Sequence, residues 1–425
     1  MTDLDARAVA ILRANDRGGY TVPTARLYPF QWNWDSAFAA LGFATFDEPR
    51  AWRELQLLVE GQAPDGMLPH IVFRHDDADY FPGPAVWGTG RTPPASGISQ
   101  PPVAASVVRW LLEAGDAAVA EPAARALYPA LLAWHRWFHS ARDPDAKGYV
   151  ATTHPWESGR DNALDWDGAM AAVDPSGIAP YQRRDTGHVD PSMRPTQAEY
   201  DRYLKLVEFG RETGWNPERI YRESPLLVAD PGLTFMLLRA DRDLLAVARS
   251  LGLDEGQSEL RAWIERANAG VRELWSDDVG GFVALDLRSG ALAPALSSVA
   301  FLAWYAGLPP GPWAAPLRTN LERMLGAVSF GVPSLDPAHD AFDQRRYWRG
   351  PVWAVVNFMI GCGLAEQGEQ VLAERVRSDT SRLIETAGFF EYFDPLTGAG
   401  CGGADFTWTA AMWLAWASPN RREVR

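Results

Sequence analysis

The stretch Val-Trp-Ala-Val-Val-Asn-Phe-Met-Ile-Gly-Cys-Gly-Leu, residues 352–364, is apolar on nearly every face if it forms a helix. A second stretch of this kind, Trp-Thr-Ala-Ala-Met-Trp-Leu-Ala-Trp, occupies residues 408–416. A helix that is apolar all round needs protein on every side, because none of its faces suits water. The two stretches therefore predict helices that are enclosed by a surrounding layer of other elements.

Helical spacing of apolar residues extends along almost the whole chain of 425 residues, whereas strand-like alternation is scarce, with 281–285 among the few candidates. The spacing predicts helices over 4–14, 34–43, 50–62, 101–115, 122–141, 197–211, 231–252, 257–274, 294–305, 314–327, 351–368, 370–386 and 406–417. About a dozen helices, some of them buried, favour an all-α fold. We expect an (α/α)6 barrel, or toroid, in which an outer ring covers an inner ring and loops at one rim build the site.

Two segments interrupt the helical pattern. Residues 64–100 are rich in Pro, Gly and His, and residues 150–196 are rich in Asp and Arg. Ordered loops of this length in a compact domain are usually functional. We expect cap-like insertions over the active-site rim, roughly at 64–100 and 150–210, within a single catalytic domain that spans 1–425.

The composition excludes several classes of function. A net charge of −14 without a basic run disfavours nucleic acid and anionic membrane surfaces as partners. No window reaches the roughly 18 unbroken apolar residues of a membrane span, and the N-terminus lacks the hydrophobic region of a signal peptide. We expect a cytoplasmic protein with no nucleic-acid or membrane partner, and both a monomer and a homo-oligomer are compatible with the composition.

The inventory of motifs gives no sign of a metal or an organic cofactor. The two cysteines, Cys362 and Cys401, have no zinc-site spacing, so we expect reduced thiols. His135 and His139 lie one helical turn apart, as metal ligands can, but no acid shares their face and we expect helix-surface residues. No G-x-S-x-G elbow, Walker loop or Rossmann glycine motif is present.

Trp-Glu-Ser-Gly-Arg-Asp-Asn, residues 156–162, sets two carboxylates beside an aromatic ring. Asp161 is a candidate general acid, a role that requires a raised pKa. Glu157 and Asp165 are nearby acids that compete for this role, and a solvated loop acid is an equally weighted alternative.

Phe-Phe-Glu-Tyr-Phe-Asp-Pro-Leu-Thr-Gly, residues 389–398, places a further acid, Glu391, among rings. Two distant acids near rings indicate glycoside hydrolysis, where one acid protonates the leaving oxygen and the other activates water or attacks carbon. Glu391 is the candidate base, and Asp394 is a rival that more naturally starts a turn before proline. The nineteen tryptophans fit a large aromatic core and sugar binding equally well.

Two ring-rich stretches are candidate walls of a pocket. In residues 28–35, Asp35 either caps the following helix or lines a sugar pocket together with Trp32 and Trp34. Residues 345–353 hold three rings and three arginines, which form either part of the site or a surface cation–π cluster.

Arg194, followed by Tyr200, lies in the second irregular segment. It is a candidate anchor for an anionic group of the substrate, because a guanidinium binds a carboxylate bidentately. An isolated, solvated arginine is the alternative.

Taken in order, these segments resemble glycoside hydrolase family 63, and within it most closely the bacterial mannosylglycerate and glucosylglycerate hydrolases. The resemblance spans essentially the whole chain. The matching pieces are Leu-Tyr-Pro-Phe-Gln-Trp-Asn-Trp-Asp-Ser-Ala-Phe (27–38), Gly-Met-Leu-Pro-His-Ile-Val-Phe (66–73), Tyr-Phe-Pro-Gly-Pro (80–84), Ser-Gly-Ile-Ser-Gln-Pro-Pro (96–102), the 156–162 motif, Arg-Pro-Thr (194–196) with Glu-Tyr-Asp-Arg-Tyr (199–203), Tyr-Trp-Arg-Gly-Pro-Val-Trp (347–353), Glu-Tyr-Phe-Asp-Pro-Leu-Thr-Gly (391–398) and Thr-Trp-Thr-Ala (407–410).

The resemblance implies an (α/α)6 barrel and an inverting mechanism, with Asp161 as general acid and Glu391 as general base. The positions that match the family's sugar contacts are Tyr28, Trp32, Trp34, Asp35, Gln100, Trp156, Tyr347, Trp348 and Trp353. The positions that match its contacts to the glycerate carboxylate are Tyr80, Arg194 and Tyr200. Ala399 stands where relatives often carry glutamate, and we expect this departure to alter a rim loop without removing catalysis.

The expected activity is inverting hydrolysis of 2-O-α-D-mannosyl-D-glycerate, 2-O-α-D-glucosyl-D-glycerate or both. The partner is then a small-molecule glycoside with an acidic aglycone, and no cofactor is required. A family 63 α-glucosidase acting on neutral α-glucosides is one alternative. A non-catalytic sugar-binding protein is another, against which the presence of both Asp161 and Glu391 weighs.

Overall fold

The structure is a computed structural model that describes residues 3–420. Most of its regular elements are helices, and most of the predicted ones occur at nearly the predicted positions. The helix predicted over 294–305 is wrong in extent, since only 302–305 is α-helical, after a 3-10 turn. The short helices at 84–87, 167–170, 185–188 and 217–223 were not predicted. The helices are α1 (Asp3–Asn15), α2 (Asn33–Phe43), α3 (Glu48–Val59), α4 (Pro84–Trp87), α5 (Ala104–Ala114), α6 (Ala117–Ala141), α7 (Asp167–Met170), α8 (Asp185–His188), α9 (Gln197–Glu212), α10 (Pro217–Glu223), α11 (Pro231–Leu251), α12 (Gln257–Gly270), α13 (Leu302–Tyr305), α14 (Ala314–Ala327), α15 (Ala354–Glu366), α16 (Gln370–Ala387) and α17 (Thr407–Met412).

Six helices form a closed inner ring in which each packs against the next, and α17 returns to α2. They are α2, α5, α11, α13, α15 and α17. An outer helix precedes each of them in the chain: α1, α3, α6, α12, α14 and α16, with α14 packed on the 3-10 turn Ser298–Phe301 that leads into α13. The predicted (α/α)6 toroid is confirmed, and the two all-apolar stretches supply the inner helices α15 and α17.

The strands are short and lie in the connections between helices. They are β1 (Gln31–Trp32), β2 (Ile71–Val72), β3 (Ala151–Thr152), β4 (Val228–Ala229), β5 (Trp275–Ser276), β6 (Gly281–Phe282), β7 (Leu285–Asp286), β8 (Phe390–Phe393) and β9 (Gly400–Ala404). The strand candidate at 281–285 is divided, because β6 forms a hairpin with β5 while β7 pairs with β4.

The connections between helices differ sharply in length at the two rims. Those that lead from an outer to an inner helix are long, and they cover 16–32, 60–103, 142–230, 271–301, 328–353 and 388–406. The return connections are short, and they cover 44–47, 115–116, 252–256, 306–313 and 367–369. The long connections, which include both irregular segments, therefore gather at the rim where the inner helices begin.

The two inner helices α11 and α2 differ in how they begin. Asp230 caps α11 by accepting a hydrogen bond from the N–H of Gly232, and Pro231 lies in the first turn. By contrast, α2 begins at Asn33 and has no side-chain cap. The alternative in which Asp35 caps this helix is therefore wrong, because Asp35 lies inside the first turn.

Both histidines of α6 are inside the protein, so the prediction of helix-surface residues is wrong. His135 is fully buried, and its Nδ1 lies 2.7 Å from Oδ1 of Asp241 in α11. His139 contacts the other oxygen of Asp241 at 2.9 Å and stacks on Trp263 at a centroid distance of 4.2 Å. The acid missing from their own helix face comes from the neighbouring inner helix.

Three further findings bear on cofactors and partners. Cys362 and Cys401 do not form a disulfide bond, in agreement with the predicted reduced thiols. Among residues 3–420, no group of three or more His, Cys, Asp or Glu side chains is arranged to hold a metal ion. Within the same range, no helix has the length and apolar character needed to cross a membrane.

The packing of α15 on α13 has little tolerance for added volume. A Cβ at Gly363 would overlap the backbone nitrogen of Tyr305. We predict that Gly363→Ala lowers the free energy of unfolding by roughly 1–3 kcal/mol, the usual effect of overpacking, measured by urea denaturation.

Gly326 is the matched control, since it is a helical glycine of α14 that is exposed and has open space around its Cα. Gly326→Ala should be neutral or stabilise by up to about 1 kcal/mol, because alanine loses less backbone entropy on folding. Equal stability of Gly363→Ala and the unmodified protein would contradict the close approach.

Candidate active site

A cavity of about 800 Å3 opens at the rim where the inner helices begin. This volume includes space that is open to solvent. The site candidates from the sequence that line it are Tyr28, Trp32, Trp34, Asp35, Tyr80, Gln100, Trp156, Asp161, Arg194, Tyr200, Tyr347 and Glu391. The fold thus brings together residues from connections that are far apart in the chain.

Asp161 follows the 3-10 turn Pro155–Ser158 and reaches the cavity past Gly159. Gly159 has a φ of +73°, and a Cβ there would lie 2.8 Å from the ring of Trp34, so only glycine fits comfortably. The hydroxyl of Tyr203 donates to the carbonyl oxygen of Asp161 at 2.8 Å. The close packing of Gly159 against Trp34 and the hydrogen bond from Tyr203 therefore fix the backbone that carries this carboxyl group.

Burial raises the pKa of Asp161 to about 7. The guanidinium of Arg194 counteracts this increase, while the negative charges of Glu391 and Asp185 add to it. An ordinary aspartate is almost fully ionised at neutral pH. Asp161 instead remains substantially protonated there, which is the state a general acid requires.

Glu391, in β8, is surrounded by hydrogen-bond donors. Its Oε1 accepts from the hydroxyl of Tyr28 at 2.9 Å, and its Oε2 accepts from the N–H of Gly403 at 3.0 Å. Nη1 of Arg194 lies 3.4 Å from both oxygens. Gly402 has a φ of +72°, and a Cβ there would overlap Oε2. These donors fix the position of the Glu391 carboxyl group in the cavity.

Asp35 lies in the first turn of α2 with its carboxyl group in the cavity. Burial raises its pKa well above the ordinary value, and the charge of Glu391 adds to the effect. No other side chain among residues 3–420 hydrogen-bonds it, so its carboxyl oxygens are available to a ligand. Beside it, Oε1 of Gln100 accepts from the backbone N–H of Trp34 at 3.2 Å, which fixes the start of the helix.

Arg194 is buried and already engaged, and it is not an isolated anchor. Besides Glu391, it donates to Oδ2 of Asp185 at 3.2 Å and to the hydroxyl of Tyr28 at 2.7 Å. Its guanidinium lies 4.0 Å from the ring centroid of Tyr347. A guanidinium has five N–H donors. These contacts do not use all of them, so at least one N–H group of Arg194 remains for a substrate group.

Tyr80 and Tyr200 stand on the Asp161 side of the cavity. Burial raises the pKa of both hydroxyls, and the charges of Asp161 and Asp185 add to this. Both phenols therefore stay protonated and can donate hydrogen bonds. The ring of Trp156 packs edge-on against Tyr200 at 5.5 Å and closes this side of the cavity.

Trp348 and Trp353 do not line the cavity, although the sequence placed them among the sugar contacts. They are buried behind Tyr347, with their rings stacked at 3.9 Å and nearly parallel. Nε1 of Trp353 donates to the carbonyl oxygen of Tyr347 at 3.2 Å. Since Tyr347 has a φ of +47°, the two rings support a backbone conformation that is uncommon outside glycine.

The acids that competed with Asp161 and Glu391 are occupied elsewhere. Glu157 is fully buried in a two-pronged ion pair with Arg142, at 2.8 and 2.9 Å. Asp165 pairs with Arg160 at 3.1 Å. Asp394 accepts from the backbone N–H groups of residues 396 and 397, as a turn-starting acid does.

Several lining residues were missed from the sequence: His70, Trp87, Arg184, Asp185, Phe406 and Trp408. Trp408 carries a clear structural role, since its Nε1 donates to the carbonyl oxygen of Glu391 at 3.0 Å. Its motif was recognised as a match but was given no role. The acid at 185 ends an Arg-Arg-Asp run, which was the only available signal for it.

The cavity therefore joins a protonatable carboxyl, Asp161, to an ion-paired carboxyl, Glu391, on the rim of a helical toroid. This combination is that of the helical-barrel glycoside hydrolases, and the protein is a glycoside hydrolase. Residues 28–409 match the family described as the mannosylglycerate hydrolase MGH1-like glycoside hydrolase domain, and the chain belongs to this family. The resemblance inferred from the motifs is confirmed.

Individual relatives cover nearly the whole chain. Mannosylglycerate hydrolase MGH1 of Selaginella moellendorffii is 49% identical over 96% of this chain and 84% of its own length. The glucosylglycerate hydrolase of Mycolicibacterium hassiacum is 35% identical over 98% of both chains. The crystal structure of the GH63 mannosylglycerate hydrolase from Thermus thermophilus with Tris and D-glycerate is 46% identical, with a TM-score of 0.93, covering 96% of this chain and 99% of that one.

The raised pKa of Asp161 predicts the basic limb of the pH profile. Because the protonated form is the competent one, kcat/KM should fall as pH rises through about 7. Asp185→Asn removes a negative charge that raises this pKa, so its limb should move to lower pH. Initial rates across a pH series would measure both.

Asp190, an exposed acid of the same segment, is the control: Asp190→Asn should leave the limb in place. A limb near pH 4, the ordinary range for aspartate, would show that burial does not tune Asp161.

Proposed function

We propose that the protein is an inverting hydrolase of glycosylglycerates, which releases free sugar and glycerate from the mannosyl compound, the glucosyl compound or both. The relatives named for these two activities support the substrate class. The observation that carries the proposal is the arrangement of Asp161, with a pKa of about 7, and the ion-paired Glu391 in one cavity.

In the proposed reaction, Asp161 gives its proton to the glycosidic oxygen as the bond to the anomeric carbon breaks. A water molecule attacks that carbon from the opposite face and passes a proton to Glu391. The carbon inverts in one step, which requires about 6.5–9.5 Å between the two carboxyl groups to admit the water. Tyr28, Arg194 and Gly403 hold Glu391 in position to accept this proton.

The sugar is proposed to bind against the rings of the cavity wall, with Asp35 accepting hydrogen bonds from adjacent hydroxyls. Asp35 suits this role because its carboxyl is buried and has no competing side-chain partner among the described residues. Trp32, Trp34 and Tyr347 supply the apolar surface for the C–H faces of the ring.

The acidic aglycone is proposed to bind on the Asp161 side, where Tyr80 and Tyr200 have protonated hydroxyls to donate. Arg194 supplies the charge that pairs with the carboxylate, using donors not consumed by Glu391 and Asp185. Arg184, a second guanidinium on the same cavity, strengthens the preference for an anionic leaving group.

The direct test incubates the enzyme with mannosylglycerate and glucosylglycerate separately and follows the first-formed anomer by NMR. We expect release of the β anomer, since an α-glycoside inverts. Asp161→Ala and Glu391→Ala should each lower kcat by about 10²–10⁴-fold, the usual contribution of a general acid or base.

Asp174→Ala, at an exposed position of the same irregular segment, should retain the unmodified rate. Release of the α anomer, or a fully active Asp161→Ala enzyme, would refute the mechanism. Turnover of neutral α-glucosides without any turnover of glycosylglycerates would refute the substrate class.

Substitution of Arg194 tests the carboxylate contact through a ratio. Arg194→Ala removes a donor from Glu391, so it should lower kcat on every glycoside. The ratio of kcat/KM for glycosylglycerate to that for a neutral glycoside cancels this common loss. We expect the ratio to fall roughly tenfold or more, as for a lost charged hydrogen bond of about 1.5–3 kcal/mol.

Arg222 provides the comparison, because it is an exposed arginine that pairs with Asp145 and does not line the cavity. Arg222→Ala should leave the ratio unchanged. An unchanged ratio in Arg194→Ala would mean that another group binds the aglycone carboxylate.

A further inference from the structure

A second cavity lies behind the proposed general acid. The residues that line it include Asp161, Asn162, Ala171, Thr196, Ala198 and Arg202. Among the residues the structure describes, Asp161 is the only one that lines both this rear cavity and the front cavity that holds Glu391. Residue 161 therefore stands at the partition between the two cavities.

The partition is a built element and not a chance gap. Oδ1 of Asn162 accepts from the N–H of Trp348 at 2.9 Å, and its carbonyl oxygen accepts from Nε of Arg349 at 2.6 Å. Together with the bond from Tyr203 to the carbonyl oxygen of Asp161, these contacts hold the chain across the space between the cavities.

Two residues that line the rear cavity have buried donors that need a hydrogen-bond partner, which water can supply. Asn162 is 2% exposed, and its Nδ2 is a buried donor without a partner among the described residues. Nε of Arg202 is also buried and has no partner within residues 3–420. Buried donors in folded proteins are nearly always satisfied, by ordered water where no protein group is in reach. Ala171, Thr196 and Ala198 are exposed, so they connect this cavity to solvent.

The proposed reaction leaves a proton deficit at one carboxyl and an excess at the other. Each turnover moves one proton from Asp161 to the leaving oxygen and one from the attacking water to Glu391. Before the next turnover, Asp161 must regain a proton from solvent and Glu391 must release one to solvent, which restores the balance. The front cavity still holds sugar and glycerate immediately after bond cleavage.

We infer that the rear cavity is the route by which water returns the proton to Asp161. Asp161 is reprotonated through the rear cavity while the products still occupy the front cavity. The inference rests on the proposed function only in that Asp161 is the general acid, and it applies to any glycoside with a leaving group that needs a proton.

The test narrows the rear cavity and compares two leaving groups. Ala198→Trp places a large ring at its mouth, at a helical position of α9. A glycerate leaving group needs the proton of Asp161, whereas fluoride departs from an α-glycosyl fluoride as the anion, so Asp161 keeps its proton. We expect kcat on the glycosylglycerate to fall about tenfold or more and kcat on the fluoride to stay within about twofold.

Ala172→Trp is the matched control, since Ala172 is exposed nearby but lines neither cavity, and neither rate should change. Retained turnover of the fluoride shows that the narrowed enzyme is folded. If Ala198→Trp does not fold, Ala198→Leu and Ala171→Trp narrow the same mouth with less volume or from another side. Equal losses on both substrates, or no loss on either, overturn the inference.

Asp161→Ala separates this inference from the proposed function. An active Asp161→Ala enzyme on the glycosylglycerate removes the general acid and both ideas with it. An inactive Asp161→Ala enzyme together with an unaffected Ala198→Trp enzyme overturns only the rear route. If the unmodified enzyme cleaves only neutral glycosides, the same comparison is made with one of those.

Discussion

The contact of Arg194 with two carboxylates at once is the interaction on which the site depends. It joins Asp185 of the second irregular segment to Glu391 of the β8–β9 hairpin, and both acids would otherwise be buried with one fewer cation to balance them. Removing one partner of a buried pair leaves an uncompensated charge, which is strongly destabilising. The same guanidinium opposes the increase in the pKa of Asp161, so it links the proposed acid to the proposed base.

The toroid provides the frame for this contact through the unequal lengths of its connections. Six inner helices begin at one rim, and the long segments that precede them must cross that rim before they enter the ring. Acids and rings carried by those segments therefore meet at the ring's centre. The opposite rim is built from the short return connections.

Much of this arrangement was predictable from the sequence, and the exceptions have physical causes. Apolar spacing located the helices because burial on a helix face repeats in the sequence, and motif matches located Asp161 and Glu391. Contacts between elements leave no such pattern in the sequence. The acid partner of His135 comes from another helix, and the role of Asp185 follows only from its hydrogen bond with Arg194 in the folded protein. The sequence also cannot distinguish a ring that faces the cavity from one that stands behind it, as Trp348 does.

The absence of a side chain at Gly402 leaves room for the carboxylate of Glu391. A hydrogen atom is all that separates its Cα from the carboxylate of Glu391, and the positive φ there suits no other residue well. Gly402 is therefore a position beside the proposed base that tolerates little change although it contributes no side chain. Redesign of the hairpin for a larger or differently shaped sugar would have to leave this absence of a side chain intact.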